Sequence, residues 1–426
     1  MHIAQLSPED LDSAQKSLES QYTTLAEAKL SLDLTRGKPG SEQLDLADSL
    51  DGILQGRYLA EDGTDVRNYG GLDGLPEAKR LFSTMLDVSA AEVLIGGNSS
   101  LTLMYTVIDF ALTVGLSGSA SAWGNAEEVK FLCPVPGYDR HFAICEHLGI
   151  EMIPVPLLDS GPDMDMVEKL VAADDSIKGI WCVPRFSNPT GCVYSAATLE
   201  RLAKLGKIAG DHFIVMYDNA YAVHNIDKDA PRLASISALC DMHGTGNSVF
   251  QFGSTSKITF AGAGVAFLAS SAQNLTALKD HLGFQGIGPD KVNQLRHVKL
   301  LQDADGIAAH MENHAALLRP RFEAVLATLD RELAGTGMGE WTSPKGGYFI
   351  SFNTRPGLAH EVVRLASGIG VALTPAGATF PYGDDPENSN IRLAPTYPSL
   401  ADVQATAEAF VICVKLASVR QARGPR

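Results

Sequence analysis

Short apolar runs alternate with amphipathic stretches through the middle of the chain. Strands are predicted where apolar residues run together, as in "VKFLCP", "GIWCVP", "FIVMYD" and "VFQFGS". Between these runs, apolar residues recur at helical spacing, as in "LPEAKRLFSTMLD" and over 196–208. Buried strands that alternate with helices are typical of a mainly parallel sheet that helices cover on both faces. The pattern therefore predicts an α/β fold.

The alternation is different at the two ends of the chain. Ser7, as a helix cap before Pro8, predicts a helix that reaches about residue 28. After about residue 290 we expect helices over 304–334, 359–368 and 399–418, with strands at "GGYFISF", "GVALTP" and "NIRLAP". These observations predict two domains, a large one over 46–295 and a smaller α+β domain formed by 1–45 plus 296–426.

Composition and charge limit the classes of partner. The chain has 426 residues and a net charge of −16, which disfavours nucleic acids and anionic membranes as partners. Its six cysteines are scattered without metal-ligand spacing, so we expect no metal site. The N-terminus lacks a signal-peptide pattern, and no apolar run approaches the ~18 residues of a membrane helix. We therefore expect a cytoplasmic protein.

Several polar residues directly follow predicted strands. They are Asn188, Asp218, Lys257 and the pair Ser99 and Ser100. Ligands of such open sheets bind outside the carboxyl ends of the strands, so these side chains are candidates for one site. A lysine among apolar neighbours is the group whose pKa burial would lower, which leaves a neutral amine for chemistry.

Four motifs occur in a fixed order, and together they are specific. They are "SNPTG" (187–191), "YDNAY" (217–221), "STSK" (254–257) and "NIRLAP" (390–395). In these motifs the chain resembles the fold-type I pyridoxal-phosphate-dependent class I aminotransferases over nearly its whole length. The stretch "STSKITFAGAG" resembles an aspartate aminotransferase-like bacterial subgroup. That subgroup is sometimes grouped with the aminotransferase domain of MocR-type regulators, whose DNA-binding domain we do not expect here.

The resemblance implies pyridoxal 5'-phosphate as the cofactor and assigns residues to its ring. Lys257 would form the internal Schiff base and move the proton of the substrate. Asp218 would pair with the pyridine nitrogen, while Asn188 and Tyr221 would bind O3′. Tyr138, in "PVPGYDRH", matches the aromatic residue that stacks on the ring.

The resemblance also assigns the phosphate group of the cofactor. Ser99 and Ser100 lie where a helix begins, and the free N–H groups of a helix start suit an anion. Ser254 and Ser256 would add hydroxyl groups. Tyr69, in "RNYGGLDGLPEAK", matches a tyrosine that reaches the neighbouring site in a homodimer.

The substrate would bind through an arginine and a loop glycine. The resemblance assigns the α-carboxylate to Arg392, whose planar fork suits bidentate pairing, and places Gly37 beside it. One family feature is missing, because the stretch "FAGAGVAF" carries no arginine for the phosphate. Arg36 and Lys38 are candidate replacements.

The leading interpretation is a dimeric aminotransferase that moves an amino group from aspartate or another acidic amino acid to a 2-oxo acid such as 2-oxoglutarate. A cysteine-conjugate β-lyase with the same cofactor is a second hypothesis, and a catalytically silent pyridoxal-phosphate sensor is a third. An acidic substrate needs a further cation for its distal carboxylate. The candidates are Arg36, Lys38, Arg140 and Arg185.

Overall fold

A computed structural model describes residues 2–28, 30–116, 121–210 and 212–424. Its strands are β1 (Leu32–Asp33), β2 (Val93–Ile95), β3 (Lys130–Val135), β4 (Glu151–Leu158), β5 (Gly161–Pro162), β6 (Ile177–Cys182), β7 (Ile214–Asp218), β8 (Val249–Ser254), β9 (Ala266–Ala269), β10 (Gly339–Trp341), β11 (Ile350–Thr354), β12 (Val371–Ala372) and β13 (Asn390–Leu393). The predicted strands are all present.

Helices separate most of these strands. They are α1 (Pro8–Glu27), α2 (Ser41–Asp45), α3 (Pro76–Leu86), α4 (Ser100–Thr113), α5 (Asp139–His147), α6 (Met164–Ala173), α7 (Ala196–Ala209), α8 (Ile236–His243), α9 (Ala272–Gln285), α10 (Lys291–Leu301), α11 (Ala304–Leu333), α12 (Ala359–Gly368) and α13 (Leu400–Arg423). The predicted cap of α1 is present, because the Ser7 hydroxyl accepts a hydrogen bond from the Asp10 N–H at 3.1 Å.

A large sheet dominates the described part of the chain. Its strands lie in the order β2-β9-β8-β7-β6-β3-β4-β5. Strands β3, β4, β6, β7 and β8 pair in parallel, and β2 points the same way because it and β8 both pair antiparallel with β9. Only β9 and β5 run in the opposite direction among these strands. The sheet is therefore mixed but mainly parallel, as the sequence predicts.

A second group of elements has its own apolar core. Helices α11 and α13 pack against each other and α1 packs on α13, beside the antiparallel sheet β10-β11-β13. The short strands β1 and β12 pair in parallel, so the N-terminal segment joins the C-terminal part of the chain. This packing supports the predicted small domain, while the exact bounds 1–45, 46–295 and 296–426 stay a prediction.

Helix α11 contributes to both cores. Ile307 and Met311, near its start, pack in a cluster with α3 and β2. Leu318 and Phe322, further along, pack in the cluster of the C-terminal part. The helix thus continues without a break from one apolar core into the other, although Pro320 lies inside it.

The parallel strands bring the predicted chemistry to one edge of the sheet. Asp218 is the last residue of β7, and Lys257 lies in the turn that follows β8. Asn188 follows β6, and α4 begins at Ser100 shortly after β2. Since these strands point the same way, their carboxyl ends meet on one side. Among the described residues, no helix combines the length and apolar character that crossing a bilayer requires.

Candidate functional site

A cavity of about 730 Å³ opens at the carboxyl edge of the sheet. Eight of the residues assigned from the sequence to the cofactor, the reaction or the α-carboxylate line it: Gly37, Ser100, Tyr138, Asn188, Asp218, Tyr221, Lys257 and Arg392. These residues come from points that are far apart in the chain, between the N-terminal loop and β13. The structure therefore brings most of the predicted site together.

Lys257 lies in a tight turn that holds its amine against the cavity wall. The side chain is partly buried, and its Nζ lies 5.1 Å from the ring centre of Tyr221. Burial lowers the pKa of Lys257 from its usual value near 10.5, although the nearby Asp218 charge opposes the shift. The Lys257 backbone carbonyl is fixed by hydrogen bonds from His224 Nε2 and the Tyr348 hydroxyl, both at 3.2 Å.

Two histidines of α11 hold the next residue of the turn, and no local sequence pattern singled them out. His310 and His314 of α11 both donate from Nε2 to the Ile258 carbonyl, at 2.7 and 2.9 Å. Gln43 donates to His314 Nδ1 at 3.1 Å, which leaves the ring proton on Nε2 for the carbonyl. Burial lowers the pKa of His314 to about 4, so this ring is neutral at neutral pH.

Helix α10 contacts the loop "FAGAGVAF", where the resemblance would place a phosphate-binding arginine that this chain lacks. Asn293 donates its side-chain amide to the carbonyl groups of Ala263 and Gly264, at 2.8 and 2.9 Å. His297 Nε2 lies 2.8 Å from the Thr259 hydroxyl. The loop "FAGAGVAF" is therefore fixed through its backbone, so its shape does not depend on long side chains of its own.

Asp218 is a buried carboxylate with one oxygen free. Its Oδ2 lies 3.0 Å from His141 Nε2, and the His141 ring stacks on Trp181 with centres 4.2 Å apart. Its Oδ1 is buried and has no hydrogen-bond partner among the described residues. A buried carboxylate oxygen without a partner is costly, so this atom is suited to a donor that a ligand brings.

His141 is a site residue that sequence reasoning missed. It lies three residues after Tyr138, on the first turn of α5, so both rings can face the same side. That spacing in "GYDRH" was the available signal. The Tyr138 and His141 rings meet edge to face with centres 4.9 Å apart. Burial raises the pKa values of Tyr138 and Tyr221, so both phenols stay protonated and can donate hydrogen bonds.

The predicted phosphate residues gather at the start of α4, although most of them lie outside the cavity wall. Ser99 caps this helix by position, but its hydroxyl makes no capping bond. Ser256 donates to the Asn98 carbonyl at 3.2 Å, and the Ser254 hydroxyl accepts from the Ser256 N–H at 3.4 Å. Of this set only Ser100 lines the cavity. The loop and the helix start form a rim of hydroxyl and N–H groups.

Tyr69 does not reach the cavity of its own chain. Its side chain is 80% exposed, and it lies outside the cavity wall. This position is compatible with the predicted role in a neighbouring subunit, which stays a prediction.

Arg392 projects from β13 into the cavity and is almost fully buried. Its Nη1 donates to Asp139 Oδ1 at 2.9 Å and to Asn188 Oδ1 at 3.3 Å. Its guanidinium carbon lies 4.9 Å from the Phe349 ring centre. The same ring explains Gly37, because a Cβ there would lie 2.1 Å from the Phe349 Cζ. Any larger residue at position 37 would displace the ring that supports Arg392.

Two of the four candidate cations for a distal carboxylate line the cavity. Arg36 and Arg140 do so, and both are exposed at its mouth. The other two are engaged elsewhere. Lys38 Nζ lies 3.9 Å from the Tyr397 ring centre, and Arg185 donates to Asn225 Oδ1 at 2.8 Å on the wall of a different cavity. The candidacies of Lys38 and Arg185 are therefore withdrawn.

Comparisons with known proteins identify the family of this chain. The family model described as aspartate amino-transferase matches residues 6–425. An aspartate aminotransferase of Corynebacterium glutamicum is 46% identical over 95% of this chain and 93% of its own. A crystal structure of an aspartate transaminase from the same species superposes with a TM-score of 0.96 at 44% identity, covering 99% of each chain.

A more distant structure shares the fold alone. The alpha-aminoadipate aminotransferase of Thermus thermophilus, solved in complex with N-(5'-phosphopyridoxyl)-L-leucine, superposes with a TM-score of 0.75 at 23% identity over 91% of this chain and 92% of its own. The predicted fold-type I architecture is confirmed. The grouping with MocR-type regulator domains stays a prediction. Since the family model spans nearly the whole sequence, the chain belongs to the aspartate aminotransferase family and is an aminotransferase.

Proposed function

We propose that this aminotransferase uses pyridoxal 5'-phosphate to move the amino group of aspartate, or another acidic amino acid, to a 2-oxo acid such as 2-oxoglutarate. One observation carries the proposal. A lysine whose pKa is lowered by burial shares a cavity with a buried carboxylate that has one oxygen without a partner. An amine that can be neutral and an acceptor for a protonated ring nitrogen are the two groups this chemistry needs.

The side chains of the cavity fit the cofactor. Asp218 Oδ1 would accept the pyridine N–H, and His141 would keep that carboxylate oriented. Asn188 and Tyr221 would bind the ring hydroxyl, while Tyr138 would cover a ring face. The start of α4, with the hydroxyls of Ser99, Ser100, Ser254 and Ser256, would hold the phosphate group. When bound, pyridoxal phosphate supplies an aldehyde that condenses with amines and a ring that withdraws electrons.

Lys257 would then serve as the acid and base of the reaction. Its neutral amine can take a proton from the substrate Cα, and its protonated form can return one. The carbonyl contacts from His224 and Tyr348 fix the backbone of Lys257, so its side chain starts from a defined point. Burial lowers the pKa of the Lys257 amine, so its neutral form is easier to reach than in water.

The preference for an acidic substrate rests on the number of arginines in the cavity. Arg392 would bind the α-carboxylate, and Arg36 or Arg140 would bind the distal carboxylate. A substrate with a distal carboxylate would gain an ion pair there that a substrate with one carboxylate lacks. The Corynebacterium glutamicum relative carries the name aspartate aminotransferase, which supports the same assignment.

A homodimer in the cytoplasm completes the proposal. Tyr69, Phe284 and Ile287 are 80%, 92% and 62% exposed. The loops of Tyr69 and Ile287 lie together, because a Cβ at Gly288 would meet the Gly70 carbonyl oxygen at 2.5 Å, and Phe284 is in the last turn of α9 just before Ile287. Exposed apolar groups that cluster in this way mark an interaction surface. All six cysteines lie in described residues and are free, which suits a reducing compartment.

A panel of amino donors tests the substrate. The purified protein, loaded with pyridoxal phosphate, is assayed with aspartate, alanine, phenylalanine and a cysteine S-conjugate, with 2-oxoglutarate as acceptor. Glutamate is assayed with oxaloacetate as acceptor, because glutamate and 2-oxoglutarate would only regenerate each other. We expect the highest kcat/KM with aspartate or glutamate, and glutamate formation from aspartate. A highest value with alanine or phenylalanine would contradict the acidic substrate. Pyruvate release from the conjugate as the main activity would favour a β-lyase, and absence of turnover with every donor would favour a sensor.

A further inference from the structure

We propose that Asp139 sets the affinity of the site for substrates by competing with their α-carboxylate for the guanidinium of Arg392. This inference rests on the proposed role of Arg392 in substrate binding. Asp139 is the first residue of α5 and lines the cavity beside Arg392. It lies in "PVPGYDRH" directly after Tyr138, but no role was assigned to it from the sequence.

The donors of Arg392 can be counted. A guanidinium has five N–H donors, one on Nε and two on each terminal nitrogen. The two on Nη1 are taken, because Nη1 donates to Asp139 Oδ1 at 2.9 Å and to Asn188 Oδ1 at 3.3 Å. The Nε donor is buried and has no partner among the described residues. Nε and Nη2 therefore remain for a ligand, on a guanidinium whose charge Asp139 already balances.

A substrate carboxylate would meet an Arg392 that is already paired with Asp139, whichever two of its donors the carboxylate uses. Asn188 is fixed, because it is buried and follows β6 in the tight segment 187–191. The Asp139 side chain is 37% exposed, so it can rotate toward solvent at small cost. Asp139 and the substrate also carry the same charge, and two carboxylates on one guanidinium repel each other. Asp139 is thus the partner of Arg392 that opposes a substrate carboxylate, and it is also the partner that can move away.

The competition predicts a specific change in the KM values of both substrates. Every substrate and product of an aminotransferase carries an α-carboxylate, so Asp139 weakens the binding of all of them by the same factor. Removing its charge should lower the KM of the amino donor and of the 2-oxo acid together. The preference among donors should not change, because that preference is assigned to Arg36 and Arg140. A merely structural role for Asp139 would give weaker binding on substitution, which is the opposite sign.

Binding of succinate tests the inference without turnover, because succinate has two carboxylates and no group to transfer. It is titrated by calorimetry into the full-length protein loaded with pyridoxal phosphate, and into the cofactor-free protein. For Asp139→Asn we expect the Kd to fall about tenfold, equivalent to about 1.4 kcal/mol. Asparagine keeps the size and the hydrogen-bond acceptor, so folding should be preserved; Asp139→Ser provides a second variant.

Two further variants make the result decisive. Asp175→Asn is a matched control, because Asp175 is exposed just before β6, at the opposite edge of the sheet. It should leave the Kd unchanged. Arg392→Lys should raise the Kd, since lysine cannot pair with a carboxylate through two parallel bonds.

The outcomes separate this inference from the proposed function. Tighter succinate binding in both Asp139 variants, with equal decreases in the two KM values, supports the competition. Unchanged or weaker binding in those variants overturns it, while a higher Kd for Arg392→Lys leaves the role of Arg392 intact. If Arg392→Lys binds succinate as well as the natural protein does, the proposed role of Arg392 fails and the competition fails with it.

Discussion

The two ends of the cavity are built differently. At the cofactor end, Asp218 and Tyr221 are buried, and the backbone around Lys257 is fixed by hydrogen bonds from other elements. At the substrate end, Arg36 and Arg140 lie exposed at the mouth. Buried polar groups need specific partners and therefore constrain the sequence around them. Exposed cations have no such requirement, so the sequence around them is free to vary.

The difference explains why the chemistry of the site was easier to predict than its substrate. The motifs "YDNAY" and "STSK" belong to the buried end, where the fold and the reaction impose the same residues. The residues that would choose a substrate lie on the N-terminal loop and on the first turn of α5. Loops of this kind vary among proteins with one fold, which is how one scaffold serves several substrates.

The largest expected effect concerns the buried end. Lys257→Ala should lower kcat by roughly 10⁴-fold, because it removes the acid and base of the reaction. The measurement is steady-state turnover with aspartate and 2-oxoglutarate. Lys178→Ala is the matched control and should retain full activity, because Lys178 is the second residue of β6, at the opposite edge of the sheet from the cavity. Turnover of Lys257→Ala within about tenfold of the natural protein would remove the distinction between the two ends.

A second effect is a pH dependence of the free energy of unfolding, which comes from the histidines that support the cofactor end of the cavity. Burial lowers the pKa of His224 to about 3 and the pKa values of His297 and His314 to about 4. The unfolded chain takes up these protons near pH 6.5, while the folded chain does not do so until pH 4 or below. Between these values the unfolded state binds more protons, so the free energy of unfolding should fall as the pH falls.

His297→Gln isolates one of these groups. Each such histidine contributes a slope of about 1.4 kcal/mol per pH unit in this window, and the variant should lose one such contribution. The free energy of unfolding is measured by urea titration of the cofactor-free protein between pH 4.5 and pH 6.5. His212→Gln, on an exposed residue, is the control. An unchanged slope in His297→Gln would show that His297 is protonated in the folded protein.

The smallest expected effect concerns the exposed end. Arg36→Ala and Arg140→Ala should each be tested for kcat/KM with aspartate and with alanine. An exposed ion pair contributes up to about 1 kcal/mol, so the variant that loses the distal contact should lose about fivefold in preference for aspartate. The loss should shrink at high salt, which screens exposed charges. Arg331→Ala, exposed on α11, is the control. An unchanged ratio in both variants would leave the acidic preference without a structural basis.

Much of the fold could be predicted from the sequence because most elements bury a regular apolar face. Helix α12 has the predicted bounds 359–368, and the long helix over 304–334 is present as Ala304–Leu333. Helix α10 was not predicted. Its sequence "KVNQLRHVKLL" buries the polar residues Asn293, Gln294 and His297, which bind other elements. Because polar residues occupy the buried side of α10, its apolar residues do not recur at the helical spacing from which a helix is predicted.

The site residues that belong to family motifs were predicted from the sequence. Asp139 and the histidines of α11 could not be found, because their roles depend on tertiary contacts with Arg392 and Ile258 that no local pattern records. The cations proposed for the distal carboxylate of the substrate were predicted only in part. The sequence named four candidates, and only the three-dimensional arrangement could separate Arg36 and Arg140 from Lys38 and Arg185.

Helix α11 ties together parts of the molecule that would otherwise fluctuate separately. One portion is anchored by Met311 in the core beside the large sheet, another by Phe322 in the C-terminal core, and between them His314 holds the Ile258 carbonyl. A local opening of either core would therefore disturb α11, and through α11 the other core and the contact with Ile258. The geometry of the reactive amine is, for that reason, a property of the whole chain's cooperativity and not of its own turn alone.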